Sequence, residues 1–202
     1  MAHYYTDNRD LKSERRKITF NYHEHVLNFQ SDVGVFSKDS IDYGSRALLA
    51  SFEPLKNISV LDVGCGYGAI ALSLAAVGEN IKCDLVDVNG RALDLAKENA
   101  GSLKLPNIEI YESFCYENVH DCFDLIVSNP PIRAGKQVVH EILSGAFDHL
   151  HIGGELRVVI QKKQGAPSAK LKMEQVFGNC QILNRDKGYY ILSSVKKQER
   201  PE

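Results

Sequence analysis

The chain has 202 residues, 44% of them hydrophobic and 25% charged, which is enough for one sizeable core and excludes the disordered and fibrous classes. A formal net charge of −2 excludes nucleic-acid binding by whole-surface attraction, so any such contact has to come from local patches. Five cysteines without a C-x-x-C pair, no apolar run of membrane-spanning length and a start at Met1-Ala2-His3-Tyr4-Tyr5 without a signal-peptide core lead us to expect a cytoplasmic protein with no disulfide framework and no membrane partner.

Arg9 to Lys17 is the most basic stretch, with Lys12, Arg15 and Arg16 set against Asp10 and Glu14. It reads as a solvated arm, with an RNA-phosphate contact as the sharper alternative. Lys17 to Tyr22 alternates apolar and polar residues, and Val26 to Phe29 follows as a second strand, which predicts a small antiparallel hairpin. His23 and His25 fall near its turn and lack further ligands to make a metal site. Ser31 to Ser37 is loop-like and carries Phe36, and Ile41 to Phe52 reads as a helix capped by Ser40 or Asp42.

The organising stretch is Val60 to Gly68. A buried strand, Ile58 to Val63, runs into glycines at 64, 66 and 68 and then into an apolar helix, Ala69 to Ala76. Strand, glycine turn and helix open a nucleotide-binding α/β unit, because the backbone turns sharply and comes close to a ligand where a Cβ would collide. Gly64-x-Gly66-x-x-Ala69 fits a dinucleotide fingerprint, and Asp62-x-Gly64-x-Gly66-x-Gly68 fits the glycine loop of S-adenosylmethionine (SAM) methyltransferases. The loop by itself leaves both open.

A second strand, Ile81 to Val86, ends at Asp87, where a carboxylate can accept hydrogen bonds from ribose hydroxyls and disfavours a 2′-phosphate. A helix over Arg91 to Ala100 follows, then a strand, Ile108 to Tyr111, with Ser113 and Phe114 at its end to bracket an adenine ring. His120, Asp121 and Cys122 read as loop residues, without a second half for a metal site. The strand Phe123 to Ser128 leads into Asn129-Pro130-Pro131-Ile132. Two prolines fix the backbone, so the Pro130 carbonyl and the Asn129 side-chain carbonyl form a pair of aimed acceptors for the two hydrogens of an exocyclic amino group. A methyltransferase acting on a planar amine needs that pair, whereas a dehydrogenase does not. Beyond it we expect a helix over Val138 to Leu150, a strand over Leu156 to Ile160, a solvated Lys162-Lys163, a helix over Leu171 to Phe177, and two closing strands, Cys180 to Leu183 and Tyr190 to Val195, joined by the short connection 184–188.

Asp62-x-Gly64-x-Gly66-x-Gly68, Asp87 and Asn129-Pro130-Pro131 together resemble a class I SAM-dependent methyltransferase over Ile58 to Val195. Gly34-Val35-Phe36-Ser37, Asp42-x-Gly44-Ser45 and Asn129 to Lys136 are similar to the small-subunit ribosomal RNA guanine-N2 methyltransferases, the RsmC-like family, in a single-domain form. The resemblance implies a Rossmann-like α/β fold with a seven-stranded, mostly parallel sheet, an antiparallel last strand, helices on both faces and a small N-terminal hairpin extension. Residues 1–53 are expected to form that extension and residues 54–202 the methyltransferase domain. SAM is the implied cofactor, held by Asp62, Gly64, Gly66, Gly68, Asp87, Val88, Ser113, Phe114 and Asn129. Asn129 and Pro130 are the implied catalytic pair, with no metal and ribosomal RNA or the small ribosomal subunit as partner. Ile132 stands where related amine methyltransferases carry an aromatic residue, so Phe36 is the expected stacking residue, with Pro131, Ile132, Arg133 and Lys136 on the substrate side. Transfer to a protein glutamine or a small-molecule amine, and a non-catalytic SAM-binding domain, are the alternative readings.

Overall fold

The structure is a computed structural model that describes residues 12–198. Arg9 and Asp10 of the basic stretch lie outside the described residues. Its centre is a seven-stranded sheet whose strands we label in chain order, after an N-terminal pair β1 (Arg16–Tyr22) and β2 (His25–Ser31). The sheet strands are β3 (Ser59–Val63), β4 (Lys82–Asp87), β5 (Ile108–Glu112), β6 (Phe123–Ser128), β7 (Leu150–Gln161), β8 (Gln181–Asp186) and β9 (Tyr189–Val195). They lie in the order β5-β4-β3-β6-β7-β9-β8. All neighbours are parallel except β9, which runs antiparallel to both β7 and β8. The expected mostly parallel sheet with one reversed last strand is therefore present.

The central strands β3, β4 and β6 are buried on both faces, which is why β3 and β6 read as near-continuous apolar runs, whereas the edge strand β5 is only partly buried. Helices α1 (Tyr43–Leu49), α2 (Ala69–Val77) and α3 (Gly90–Ser102) cover one face and share a core with Val60, Leu85, Leu125 and Val127. Helices α4 (Lys136–Gly145) and α5 (Ala166–Phe177) cover the other and share a core with Leu61, Val63, Val86 and Ile126. The chain builds outward from β3 through β4 to β5, then returns to place β6 on the opposite side of β3. That reversal opens a crevice at the carboxyl ends of β3, β4 and β6, where α/β sheets bind ligands.

The hairpin β1–β2 lies outside the helix layer. Its Ile18, Leu27 and Phe29 join the same core as α2 and α3. Asn99 is the tie: it accepts from Gln30 N at 2.6 Å and donates to Gln30 O at 3.0 Å and to Tyr67 O at 2.9 Å. Buried Asp32 pairs with Arg91 at 2.9 Å and accepts from Ser13 Oγ and the Glu14 and Val33 amides. Arg15 and Arg16 are ion-paired to Glu98 and Asp39, so these two cations of the basic stretch are engaged within the protein.

Several boundaries differ from those expected. α1 starts at Tyr43 because the Asp42 carboxylate caps it through Ser45 N, and it stops at Leu49. α4 ends at Gly145, not Leu150, because Phe147, Asp148 and His149 close tight turns and Leu150 pairs with Phe123 to begin β7. β7 begins at Leu150, six residues before the expected Leu156, and continues through Gly153-Gly154 with a shift of register against β6, with Gly153 N and Lys196 N bonded across to Lys196 O and Gly154 O. α5 begins at Ala166, five residues before expectation, after Gly165 in a left-handed turn and with Pro167 tolerated in its first turn. β8 extends to Asp186, so the closing hairpin turns on Lys187-Gly188, both at positive φ as a two-residue turn requires.

Candidate functional site

The glycine turn is built from below. Gly64 N and Cys65 N both donate to Val86 O, at 2.9 and 3.0 Å, which pins the turn to the end of β4. Gly64, Gly66 and Gly68 all have positive φ, at +76°, +57° and +89°. They differ in surroundings. A Cβ at Gly68 would lie 2.7 Å from Leu72 Cδ1, so this glycine is demanded by packing against α2. A Cβ at Gly66 would meet nothing within 4 Å, so the backbone there borders open space.

That space belongs to a cleft of about 930 Å³, part of it open to solvent. Its walls are mainly apolar, with Ile70 and Ala92 from one core and Val63, Val138 and Ile142 from the other, beside Pro131. Asp42, Ser45, Asp87 and Asn129 bring polar groups to it. An apolar crevice with a few converging polar side chains is the ordinary form of a small-molecule site.

Asp87 sits at the tip of β4. Its oxygens accept from Gly66 N and Asn89 N, each at 2.9 Å, which leaves further lone pairs for a ligand. Burial pushes its carboxyl up, against the lowering effect of hydrogen bonds from the Asn89, Gly66 and Val88 amides. Asn89, not Asp87, caps α3, accepting from Ala92 N at 3.3 Å. Asp62 is fully buried beneath the turn, where it accepts from Ala71 N at 3.1 Å and its other oxygen has no partner. Burial pushes its carboxyl up to about 7. The thiols of Cys65 and Cys115 are likewise pushed up by burial, Cys115 to about 12, so neither offers a thiolate nucleophile.

Asn129 stands at the end of β6, facing α1. Its Nδ2 donates to Asp42 Oδ1 and Oδ2 at 3.2 and 3.1 Å and to Ser45 Oγ at 3.0 Å. Both amide hydrogens are thereby used, and the reversed amide would set an oxygen against a carboxylate. The Oδ1 acceptor is the end left over, with no protein donor among the described residues. Ser128 Oγ, one residue before, donates to Val63 O at 2.6 Å and holds β6 against the glycine strand.

Of the residues expected in the site, Gly64, Gly66, Asp87, Val88, Ser113, Phe114, Asn129, Pro131 and Phe36 all line this cleft. Asp62 and Gly68 lie beneath it, and Pro130, between the lining residues Asn129 and Pro131, is buried. Ile132, Arg133 and Lys136 lie beyond the lining, the last two exposed. The Ser113 hydroxyl donates to Cys115 O at 3.1 Å and accepts from Asn118 N, which ties it into its own turn. The Phe36 loop does fold over the glycine turn, held by Tyr67 OH to Ser37 O and Asn89 Nδ2 to Gly34 O. Asp42 and Ser45 are site residues that sequence reasoning did not assign. The signal was the Asp42-x-Gly44-Ser45 motif, which carried part of the family resemblance and locally reads as a helix cap, without a site role for either residue.

The arrangement can hold a nucleoside-like ligand between Asp87 and Phe114, and it presents an oriented carbonyl acceptor to a second ligand. Among the described residues no group of three or more His, Cys, Asp or Glu is placed to hold a metal ion. No described helix is long and apolar enough to cross a membrane.

The model of the methyltransferase small domain matches residues 26–193. A Bacillus subtilis protein, YbxB, uncharacterized by its name, is 46% identical over 197 residues, covering 96% of this chain and 98% of its own. Ribosomal RNA small subunit methyltransferase C of Erwinia tasmaniensis is 32% identical over 169 residues, covering 82% of this chain and 48% of its own. The chain thus spans about half the length of that relative. Among solved structures, the Thermus thermophilus 16S rRNA N2 methyltransferase RsmC, in complex with AdoMet and guanosine, superposes with a TM-score of 0.82 at 26% identity, covering 92% of this chain and 52% of that one.

Proposed function

The chain belongs to the methyltransferase small domain family, and from that premise we propose that it moves a methyl group from SAM to the exocyclic amino group of a guanine in small-subunit ribosomal RNA. SAM dependence follows from the family and from the likeness to an enzyme solved with AdoMet. The residues present fit that cofactor: Gly66 borders open space, Asp87 keeps free lone pairs for ribose hydroxyls, and the Phe114 ring stands on the cleft wall. The guanine reading is supported by the relatives' names and by the acceptor at Asn129.

SAM supplies an electrophilic methyl group, and the protein's task is to aim a weak nucleophile at it. An aromatic amine is weak because its lone pair is delocalised into the ring. In our reading Asn129 Oδ1 and the Pro130 carbonyl accept its two hydrogens and turn the lone pair toward the methyl carbon. Asp42 and Ser45 keep the Asn129 amide from rotating, so the acceptor is oriented before the substrate arrives. The target guanine leaves its stack to reach the cleft, and the half-exposed Phe36 ring takes the role of stacking partner. Arg133 and Lys136 bind phosphates just outside. The amine's proton leaves to water after transfer, so no side chain acts as base, and positioning with electrostatics carries the rate.

The observation that carries this reading is the free, pre-oriented Oδ1 of Asn129 beside the glycine turn. Asn129→Ala is expected to abolish methyl transfer to RNA while SAM still binds, measured by calorimetry and label transfer on the same preparation. Full transfer by that variant would remove Asn129 from the mechanism.

A further inference from the structure

The sheet's two edges differ in how their cations are used. At the amino edge Lys56 and Lys82 are paired with Glu79 and Asp121. At the carboxyl end of β7, beyond the cleft, Lys162 and Lys163 follow the strand, Arg185 lies near the end of β8 and Lys187 sits in the turn between β8 and β9. All four are exposed, and none forms an ion pair among the described residues. Topology puts them side by side: β9 is antiparallel to β7, Gln161 pairs with Tyr189, and Lys162 N donates to Gly188 O at 2.7 Å.

Aromatic rings, not carboxylates, hold two of these cations in place. Lys187 Nζ lies 4.7 Å from the Tyr43 ring centroid, and Arg185 Cζ lies 5.0 Å from that of Tyr190. Tyr43 and Tyr189 contact each other at 5.5 Å. A cation over a ring is positioned without being neutralised. The carboxylate inside the patch, Asp186, accepts from the Tyr43 hydroxyl. Tyr43 also joins the patch to the cleft, because its neighbour Asp42 holds Asn129.

We infer that Lys162, Lys163, Arg185 and Lys187, with Tyr43 and Tyr189, form a docking surface for the RNA strand that flanks the extruded nucleotide. The inference rests on the RNA reading of the cleft and adds the path of the strand. The phosphates run from the cleft mouth along the carboxyl ends of β7 and β8 and the amino end of β9, on the side away from Asp87. A chain with a net charge of −2 needs such a concentrated patch to attract a polyanion. Lys162 and Lys163 thereby change from solvated surface to phosphate ligands.

The test compares RNA binding by wild type, by the fourfold variant Lys162→Ala, Lys163→Ala, Arg185→Ala, Lys187→Ala, and by an amino-edge control, Lys56→Ala with Lys82→Ala. The probe is purified naked small-subunit ribosomal RNA, titrated across a salt series, with SAM affinity and melting temperature measured alongside. Removing one cation from a phosphate lowers the slope of log K against log salt by about 0.7 on single strands, so the fourfold variant is expected to lose roughly 3 from that slope. Its affinity at low salt is expected to fall by about 100-fold or more, with SAM binding and melting unchanged and the control like wild type. Equal affinity and slope in wild type and the fourfold variant overturn the docking surface and leave the RNA reading standing. Failure of wild type itself to bind RNA overturns both.

Discussion

Asp42→Ala separates positioning from folding most cleanly. The carboxylate provides two of the three hydrogen bonds that orient Asn129 Nδ2, at 3.2 and 3.1 Å, and it caps α1 through Ser45 N at 3.2 Å. Losing the cap costs about 1 kcal/mol of stability, and losing the paired hydrogen bonds from Asn129 to the half-buried carboxylate adds about 2 kcal/mol. A fall of that size leaves the protein folded at 25 °C. The kinetic effect is larger. With Ser45 Oγ alone the amide rotates, and the acceptor is no longer aimed. Loss of one pre-aimed polar group costs on the order of 100- to 1,000-fold in turnover. Asp42→Asn keeps a cap and one acceptor, so it restores stability and only part of the rate. The assay is the initial rate of tritiated methyl transfer at saturating SAM and RNA, with thermal melts of each variant. Asp42→Ala that stays folded and turns over at the wild-type rate would refute the positioning argument, as would a rate loss that tracks unfolding alone.

Three further outcomes follow from the same geometry. Gly68→Ala forces a Cβ to 2.7 Å from Leu72 Cδ1 at φ +89° and is expected to cost roughly 3 kcal/mol in urea unfolding, whereas Gly66→Ala, with nothing within 4 Å, costs about 1 kcal/mol and weakens SAM binding instead. The Asp62 carboxyl is pushed up to about 7 by burial, opposed by the Ala71 hydrogen bond and reinforced by Asp87. Its folded value is raised, so its contribution to stability is complete below the ordinary carboxylate value of 3.8 and is lost as pH rises through about 7. The SAM-free protein should therefore lose up to roughly 4 kcal/mol across that window, and Asp62→Asn should flatten the curve; an unchanged pH profile contradicts the assignment. Asn99→Ala breaks three hydrogen bonds joining β2, α3 and the glycine turn, and is expected to cost about 2–4 kcal/mol with a parallel loss of SAM affinity.

The central parallel strands were legible because burial on both faces leaves them as apolar runs, and the glycine turn because positive φ at three alternate positions admits few other residues. The ends of elements were harder. Phe147 and Leu150 prolong the apolar spacing of α4 past Gly145, where the chain has already turned, and the glycines at 153 and 154 hide the early start of β7, which bonds to Lys196 hold in place. In the site, residues of the glycine turn and of the β6 end were readable because each acts within its own loop. Asp42 and Asn99 were not, because their partners, Asn129, Gln30 and Tyr67, are distant in sequence and meet them only once the sheet has closed. The cations at 162, 163, 185 and 187 were dispersed for the same reason: the antiparallel return of β9 gathers them.

The measurement that bears most directly on the account is transfer of a radiolabelled methyl group from SAM to purified small-subunit particles and to naked ribosomal RNA, followed by nucleoside analysis. The account predicts label in N2-methylguanosine. SAM binding with no label in any RNA nucleoside would contradict it.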